Sequence, residues 1–302
     1  MPRTVRSTLK KKQDRWGLVF AAPSLFFFAV FSFYPMFSAF FTSFTNKQAL
    51  SLARPKFIGL ENYSYLLQSP DFWNSMRATA VFTLGTFSAL VVFSLLLSAL
   101  VSELRVGKKL FQLAYYSPAV LSSVVAATIW LLIFDPRGLA NQAMNAVMNT
   151  PGVDHYWFVN PYKEQFSTML VYFWKHIGYF VIICISGMAS VPPSVYEAVR
   201  MDGCNRWQSY WHITFPLLRP TVVLVSIMSM ILCLRTFSVQ YLFTLGGAPE
   251  RAINVITMNI YFTGIRFFRT GRASAMSIIL LIIMVVLTWL QFRVTRSEEV
   301  NY

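Results

Sequence analysis

The sequence predicts an all-α, polytopic membrane protein with six transmembrane helices and a two-helix loop between the fourth and fifth. Three observations predict it. The 302 residues are 56% hydrophobic and only 13% charged, about half the ~25% of soluble domains. Six apolar runs reach the ~20 residues that a helix needs to cross the hydrocarbon. The charge, 26 Lys+Arg against 12 Asp+Glu, is gathered mainly between the runs. In so apolar a chain a surplus of +14 sets topology and meets anionic head groups. No nucleic-acid partner is expected.

The elements follow in order. Residues 1–15 carry Arg3, Arg6, Lys10, Lys11, Lys12 and Arg15. The apolar run after them, 16–41, is much longer than the 7–15-residue core of a signal peptide and lacks its cleavage site, so it reads as a retained first span. The other spans are expected at 76–101, 111–134, 166–189, 220–245 and 271–293. Six spans leave both termini on one side. With the tail counted from Arg293, the loops of that side hold 14 Lys+Arg and the opposite loops 8, which places both termini in the cytoplasm of a cell-membrane protein. The expected division is a basic N-terminus at 1–15, a six-span membrane domain at 16–293 containing the loop 190–220, and a tail at 294–302. The outer segment 42–75 holds FIGLENYSYLL, read as a short helix on the membrane, and Asp135-Pro136-Arg137-Gly138 is a turn signal.

Several chemistries are missing from the sequence. It has no G-x-x-x-x-G-K-[ST] for nucleotide phosphates, no metal-ligand spacing among His155, His176 and His212, and no G-x-S-x-G nucleophile. No cofactor is expected. Cys184, Cys204 and Cys233 show no C-x-x-C spacing and read as small packing residues. None of the expected spans contains Asp or Glu, which weakens a proton- or sodium-coupled carrier. Arg77 and Arg272 fall at span ends, where they can snorkel. Lys175 and Arg235 fall deeper, where a charge lines a polar cavity or finds a partner; for Arg235 the alternative to a polar path is a hydrogen bond to helix-end carbonyls near the outer surface.

The loop SVPPSVYEAVRMDGCNRWQSYWHITFPLLRP interrupts this apolar pattern. Pro192-Pro193 closes the fourth span. Ser194 stands at an expected N-cap with Glu197 three residues on, a capping box, and Gly203 can end the short helix in the left-handed region. A second helix is expected from Arg206 to Thr214, stopping before Pro216, with Pro220 opening the fifth span. Tyr196, Val199 and Gly203 share a helical face. Tyr210, Trp211, Ile213 and Phe215 add aromatic and apolar surface, either for a partner or for packing on the bundle and the bilayer.

The spacing Glu197-Ala198-Val199, three residues, Gly203, nine residues, Ile213, one residue, Phe215-Pro216 resembles the E-A-A-x3-G-x9-I-x-L-P signature of the membrane subunits of binding-protein-dependent ABC importers. Val199 replaces the second Ala and Phe215 the Leu, apolar exchanges that keep the spacing. The resemblance extends through PSLFFFAVFSFYPMFSAFFTSFTN, FIGLENYSYLL, FWNSMRATAVFTLGTF, RGLANQAMN and IYFTGIRFFRTGRASAMSIILLIIMVVLTWLQFR, as in permeases of the maltose and glycerol-3-phosphate type. YLFTLGGAP resembles the first of the two permeases of such systems. The resemblance implies a second homologous permease, two ATP-binding subunits that hydrolyse the ATP, an extracytoplasmic solute-binding protein, and carbohydrate import by alternating access. It assigns coupling to the ATPase to Glu197, Ala198, Val199, Asp202, Gly203, Ile213, Phe215 and Pro216. Sugar sites pair aromatic faces with hydrogen-bonding groups, which makes Tyr172, Trp174, Arg235, Gln240 and Tyr241 candidates for the solute path, against a reading as packing or interface anchors. The alternative function is a self-contained channel or secondary carrier for a small polar solute.

Overall fold

The computed structural model of the chain describes residues 3–102, 104, 106–246 and 250–296, and among these all side chains except those of 3–15, 200, 206, 250 and 294–296. The basic side chains of 1–15, the Gly-Ala-Pro part of the GGAP stretch at 247–249 and the tail from 297 lie outside the described residues. Those described are mostly helical and contain no strand; Thr45 and Phe57 form one isolated bridge. Five helices are long and apolar enough to cross a membrane: Trp16–Thr42, Pro70–Ser102, Pro161–Ala189, Arg219–Leu245 and Thr270–Arg293.

The expected third span, 111–134, is not straight. Lys108–Val120 and Ser123–Ile133 are separate helices bent by 100°. Pro118 lies in the last turn of the first, Leu121 and Ser122 are extended, and the Ser122 hydroxyl caps the second by accepting from Val125 N at 3.2 Å. At 1.5 Å per residue, neither piece alone matches the ~30 Å hydrocarbon thickness. The pair makes a sixth span only if it counts as one broken element. Hydropathy could not show this, because the apolar run is continuous through the break.

A second correction concerns acidic residues. Two helices start further out than their apolar cores: Pro70 and Pro161 stand at their first positions, where a missing N–H costs nothing. Asn160 caps the latter, its Oδ1 accepting from Tyr162 N and Lys163 N at 2.9 and 3.4 Å. This extension brings Asp71 and Glu164 into the first turns of spanning helices. Glu164 is buried, and its Oε1 has no hydrogen-bond partner. Its first-turn position at least matches the sign of the helix dipole.

The chain forms two compact units, 1–68 with 260–279 and 69–259 with 280–302. In the first unit, Trp16–Thr42 is exposed along its spanning length, an apolar surface suited to lipid. A widened i→i+5 turn at Ala29–Phe33 precedes Pro35, and Tyr34 N donates to Ala29 O. The short helix Glu61–Gln68 is pinned to the end of this span by Asn62, whose Nδ2 donates to Ser43 O and Thr45 O at 2.8 and 2.9 Å.

In the second unit, Pro161–Ala189 packs along Pro70–Ser102 and Lys108–Val120, and Arg219–Leu234 packs on Pro70–Ser102. The buried residues of Pro70–Ser102 include Ser75, Thr79, Thr83, Thr86, Leu90, Ser94 and Ser98, spaced three or four apart, with Phe72, Ala78, Phe82 and Val101 beside them, while Leu84, Val92 and Leu100 face outwards. This pattern inverts that of a soluble helix, because lipid supplies no hydrophobic drive and small side chains let helix backbones approach. Gly178 shows how close they come: a Cβ there would lie 2.0 Å from Tyr115 O.

Candidate functional site

The loop after Ala189 starts with a helix at Pro193–Met201. It begins one residue ahead of Ser194, with Val195 N donating to Pro192 O at 3.1 Å. Ser194 is therefore in the first turn, and the expected Ser194–Glu197 box does not form; a proline as first helical residue moves the start forward. At the other end Cys204 N reaches back to Val199 O at 3.3 Å and Gly203 has φ 74°. This is the Schellman closure that a left-handed glycine permits.

The capping box belongs to the second helix instead. Asn205 Oδ1 accepts from Gln208 N at 2.8 Å while Asn205 N donates to Gln208 Oε1 at 3.0 Å. Asn-x-x-Gln carries the same signature as Ser-x-x-Glu, so this box was legible in the residues, although sequence reasoning placed it eleven residues too early. Nor does the helix stop before Pro216. It runs from Arg206–Ser209 through a widened turn, Tyr210–Thr214, into Phe215–Leu217 and on to Arg219. Phe215 N donates to Tyr210 O. Proline blocks the i−4 bond and crowds that carbonyl; an i→i+5 turn just before it opens the room. The same device precedes Pro35.

Two contacts of this segment were not foreseen. Tyr210 Oη donates to Leu95 O at 3.2 Å, tying the loop to the Pro70–Ser102 helix. Burial, and to a smaller degree the Cys184 thiol, pushes the Tyr210 phenol up to about 12. Trp207, Trp211 and Phe215 also form a ladder, with ring centroids 5.5 and 5.3 Å apart. Trp207 is 66% and Trp211 41% exposed, and Met201 is 88% exposed. Glu197, Ala198, Asp202 and Gly203 are exposed; Ile213, Phe215 and Pro216 are half-buried; Val199 is buried. The loop thus turns Val199 inwards and presents an apolar, aromatic outer face flanked by Glu197 and Asp202.

The solute-path candidates gather only partly. The helix Arg219–Leu234 ends at Arg235 and resumes at Ser238–Leu245. At this break Thr236 N bonds Cys233 O at 3.2 Å, so Leu232 O loses the donor a continuous helix would give it. Tyr172 Oη supplies one at 2.8 Å. Thr236 Oγ1 donates to Gln240 Oε1 at 3.0 Å, and Thr257 Oγ1 donates to Thr236 O. Gln240 is fully buried and its Nε2 has no partner. Tyr172 is buried against His176, with ring centroids 4.1 Å apart. Arg235 is exposed, Tyr241 stacks on Phe237, and Trp174 packs edge-on to Trp130 at 5.7 Å. Tyr172, Arg235 and Gln240 therefore meet at one interruption, whereas Trp174 belongs to a separate aromatic contact. Irregular backbone at membrane depth is tolerated where protein buries it or where it lines a cavity.

These features, long apolar helices with two interruptions and one structured loop between spans, are those of a polytopic membrane permease. The chain belongs to the family described as binding-protein-dependent transport system inner membrane component, whose model matches residues 17–299. Among similar proteins is the arabinooligosaccharides transport system permease protein of Bacillus subtilis, 30% identical over 92% of this chain and 88% of its own. The lactose transport system permease protein of Rhizobium radiobacter is 27% identical over 99% and 100%. The sn-glycerol-3-phosphate transport system permease protein of Agrobacterium fabrum is 27% identical over 93% and 94%. The fold is similar to that of a crystallised bacterial ABC transporter involved in import of the acidic polysaccharide alginate. The two share 21% identity at a TM-score of 0.78 over 97% of this chain and 100% of that one.

Proposed function

We propose that this permease imports a carbohydrate or a related polyol or phosphodiester as one of two homologous membrane subunits. Partner subunits hydrolyse the ATP, and a solute-binding protein delivers the solute. Both termini and the loop 190–220 face the cytoplasm on this reading, following the Lys+Arg bias of the loops. The observation that carries it is the outer face of that loop. Ala198, Met201, Trp207 and Trp211 are exposed on helices held by a Schellman closure and a capping box. A rigid apolar face outside the spans is the kind of surface a partner covers. Glu197, Ala198, Val199, Asp202, Gly203, Ile213, Phe215 and Pro216 form or support it.

Coupling needs no chemistry on this chain. ATP-binding subunits that contact the loop differently in their two states bias the bundle by that difference alone. The interruption at 235–237, with Tyr172, Gln240 and the exposed Arg235, is the proposed solute path, and Trp174 and Tyr241 are its aromatic candidates. The carbohydrate assignment is supported by the relatives named for lactose and arabinooligosaccharides.

Purification tests the reading. Affinity capture of the tagged chain from its native membrane should bring down an ATP-binding protein and a second permease in fixed ratio. ATP-independent uptake of solute by this chain alone in liposomes would sink it and favour the self-contained carrier.

A further inference from the structure

In the first unit a cavity of about 400 Å³ lies against the ends of two spans. Its wall includes Thr45, Lys47, Glu61, Tyr65, Arg269 and Arg272. Thr45 and Lys47 follow the first span, which ends at Thr42, and Arg269 and Arg272 bracket the start of the last, at Thr270. The frame is backbone: Gly271 N donates to Lys47 O at 2.9 Å and Ala49 N to Phe268 O at 2.8 Å. Asn62 ties the third wall to the same strap.

Charge and surroundings give the cavity a character. The Arg272 guanidinium lies 3.6 Å from the centroid of the Tyr65 ring, which fixes its plane. Lys47 and Arg269 are exposed, and their side chains make no ion pair or hydrogen bond among the described residues. Three cations thus face one carboxylate, Glu61. Within two residues of wall positions in the chain, Leu50, Phe57, Leu60 and Phe267 stand exposed outside the spans. Cations at the end of a span beside exposed aliphatic and aromatic side chains fit the boundary between head groups and acyl chains.

We propose that this cavity holds the phosphate head group of an anionic phospholipid. Lys47, Arg269 and Arg272 face the phosphodiester, Tyr65 orients Arg272, and the apolar rim takes the upper acyl chain. A lipid phosphate is favoured over an acidic segment of a protein because the walls start within a few residues of both span ends, the depth at which head groups lie. Each cation near a membrane surface weights such an equilibrium about fivefold.

Native mass spectrometry of the purified transporter containing this chain, delipidated and titrated with phosphatidylglycerol, phosphatidylcholine or glycerol phosphate, tests the site. Phosphatidylglycerol should be retained in preference to phosphatidylcholine, about fivefold less in Lys47→Gln and roughly 25-fold less in Lys47→Gln/Arg269→Gln. Lys47→Gln changes an exposed, unbonded side chain, so the fivefold step survives even if the double variant fails to fold. Arg54→Gln, an exposed cation of the same segment outside the cavity wall, should leave retention unchanged. Four results would each overturn the proposal: equal retention of the two lipids; an equal loss in Arg54→Gln; full competition by glycerol phosphate, which makes the ligand a free phosphate ester; or variants that keep the lipid but lose the solute-binding protein.

Discussion

Lys175 Nζ donates to Leu121 O at 2.7 Å, and with it a buried cation closes the break between Lys108–Val120 and Ser123–Ile133. One turn earlier on the same helix, Tyr172 Oη does the same for Leu232 O at the break in Arg219–Leu245. A single helix face at i and i+3 thus supplies the donors missing from two interrupted spans. Lys175 also answers the question raised by its position in the sequence: it satisfies a helix-end carbonyl.

Lys175→Met should leave the half-buried Leu121 O without this donor and cost about 1–3 kcal/mol of stability. Tyr172→Phe should cost about 0.5–1.5 kcal/mol at the other break. Thermal unfolding of the purified transporter in detergent measures both. An unchanged midpoint in Lys175→Met would show that the break does not depend on this bond.

Gly178→Ala tests the helix crossing. Its added Cβ would lie 2.0 Å from Tyr115 O, a backbone atom that no rotamer change can move aside. We expect a loss of about 1–3 kcal/mol or more, read as less folded protein after extraction. Gly203→Ala should behave differently, because a Cβ there meets nothing within 4 Å. Only the left-handed backbone at φ 74° penalises it, by about 1–2 kcal/mol.

Gly203→Pro cannot adopt that φ and should open the loop. Together with Glu197→Ala and Trp211→Ala it should reduce transport and ATPase stimulation while the chain still inserts. A buried aromatic anchor at an interface is worth 2 kcal/mol or more, so Trp211→Ala should weaken capture of the ATP-binding partner about thirtyfold. Wild-type coupling in all three variants would remove the loop from the mechanism.

The Tyr210 phenol, raised from its ordinary value of 10.0 to about 12, adds no pH dependence to stability below pH 10. Above it the unfolded chain releases this proton first, so stability falls as pH rises from 10 towards 12. Tyr210→Phe should flatten that part of the alkaline unfolding profile. A profile identical to wild type between pH 10 and 12 would show that the phenol ionises as readily in the folded chain.

Much of this was legible in the residues. The long apolar runs, the turn at Asp135-Gly138, the left-handed stop at Gly203 and the spacing from Glu197 to Pro216 depend on local physics: hydrophobic length, proline's missing N–H and glycine's freedom. These act within a few residues and leave a pattern in one dimension. The capping box at Asn205 and Gln208 was equally local, and it was assigned to the wrong helix only because Ser194 and Glu197 offer the same spacing.

The breaks at Leu121 and at Arg235–Phe237 lay beyond that reach. An interrupted helix in an apolar run is stable only if donors from another element satisfy the freed carbonyls, and those donors, Lys175 and Tyr172, stand 54 and 60 residues from the carbonyls they serve. The burial of Glu164 and the partition of Ser and Thr to the inner face of Pro70–Ser102 depend likewise on which helices become neighbours. By itself the sequence determined the class of protein and the local shape of the loop 190–220, because hydrophobicity, proline and glycine act locally. Only the tertiary structure decided where the spans break and which side chains hold the breaks, because those bonds form between helices distant in the chain.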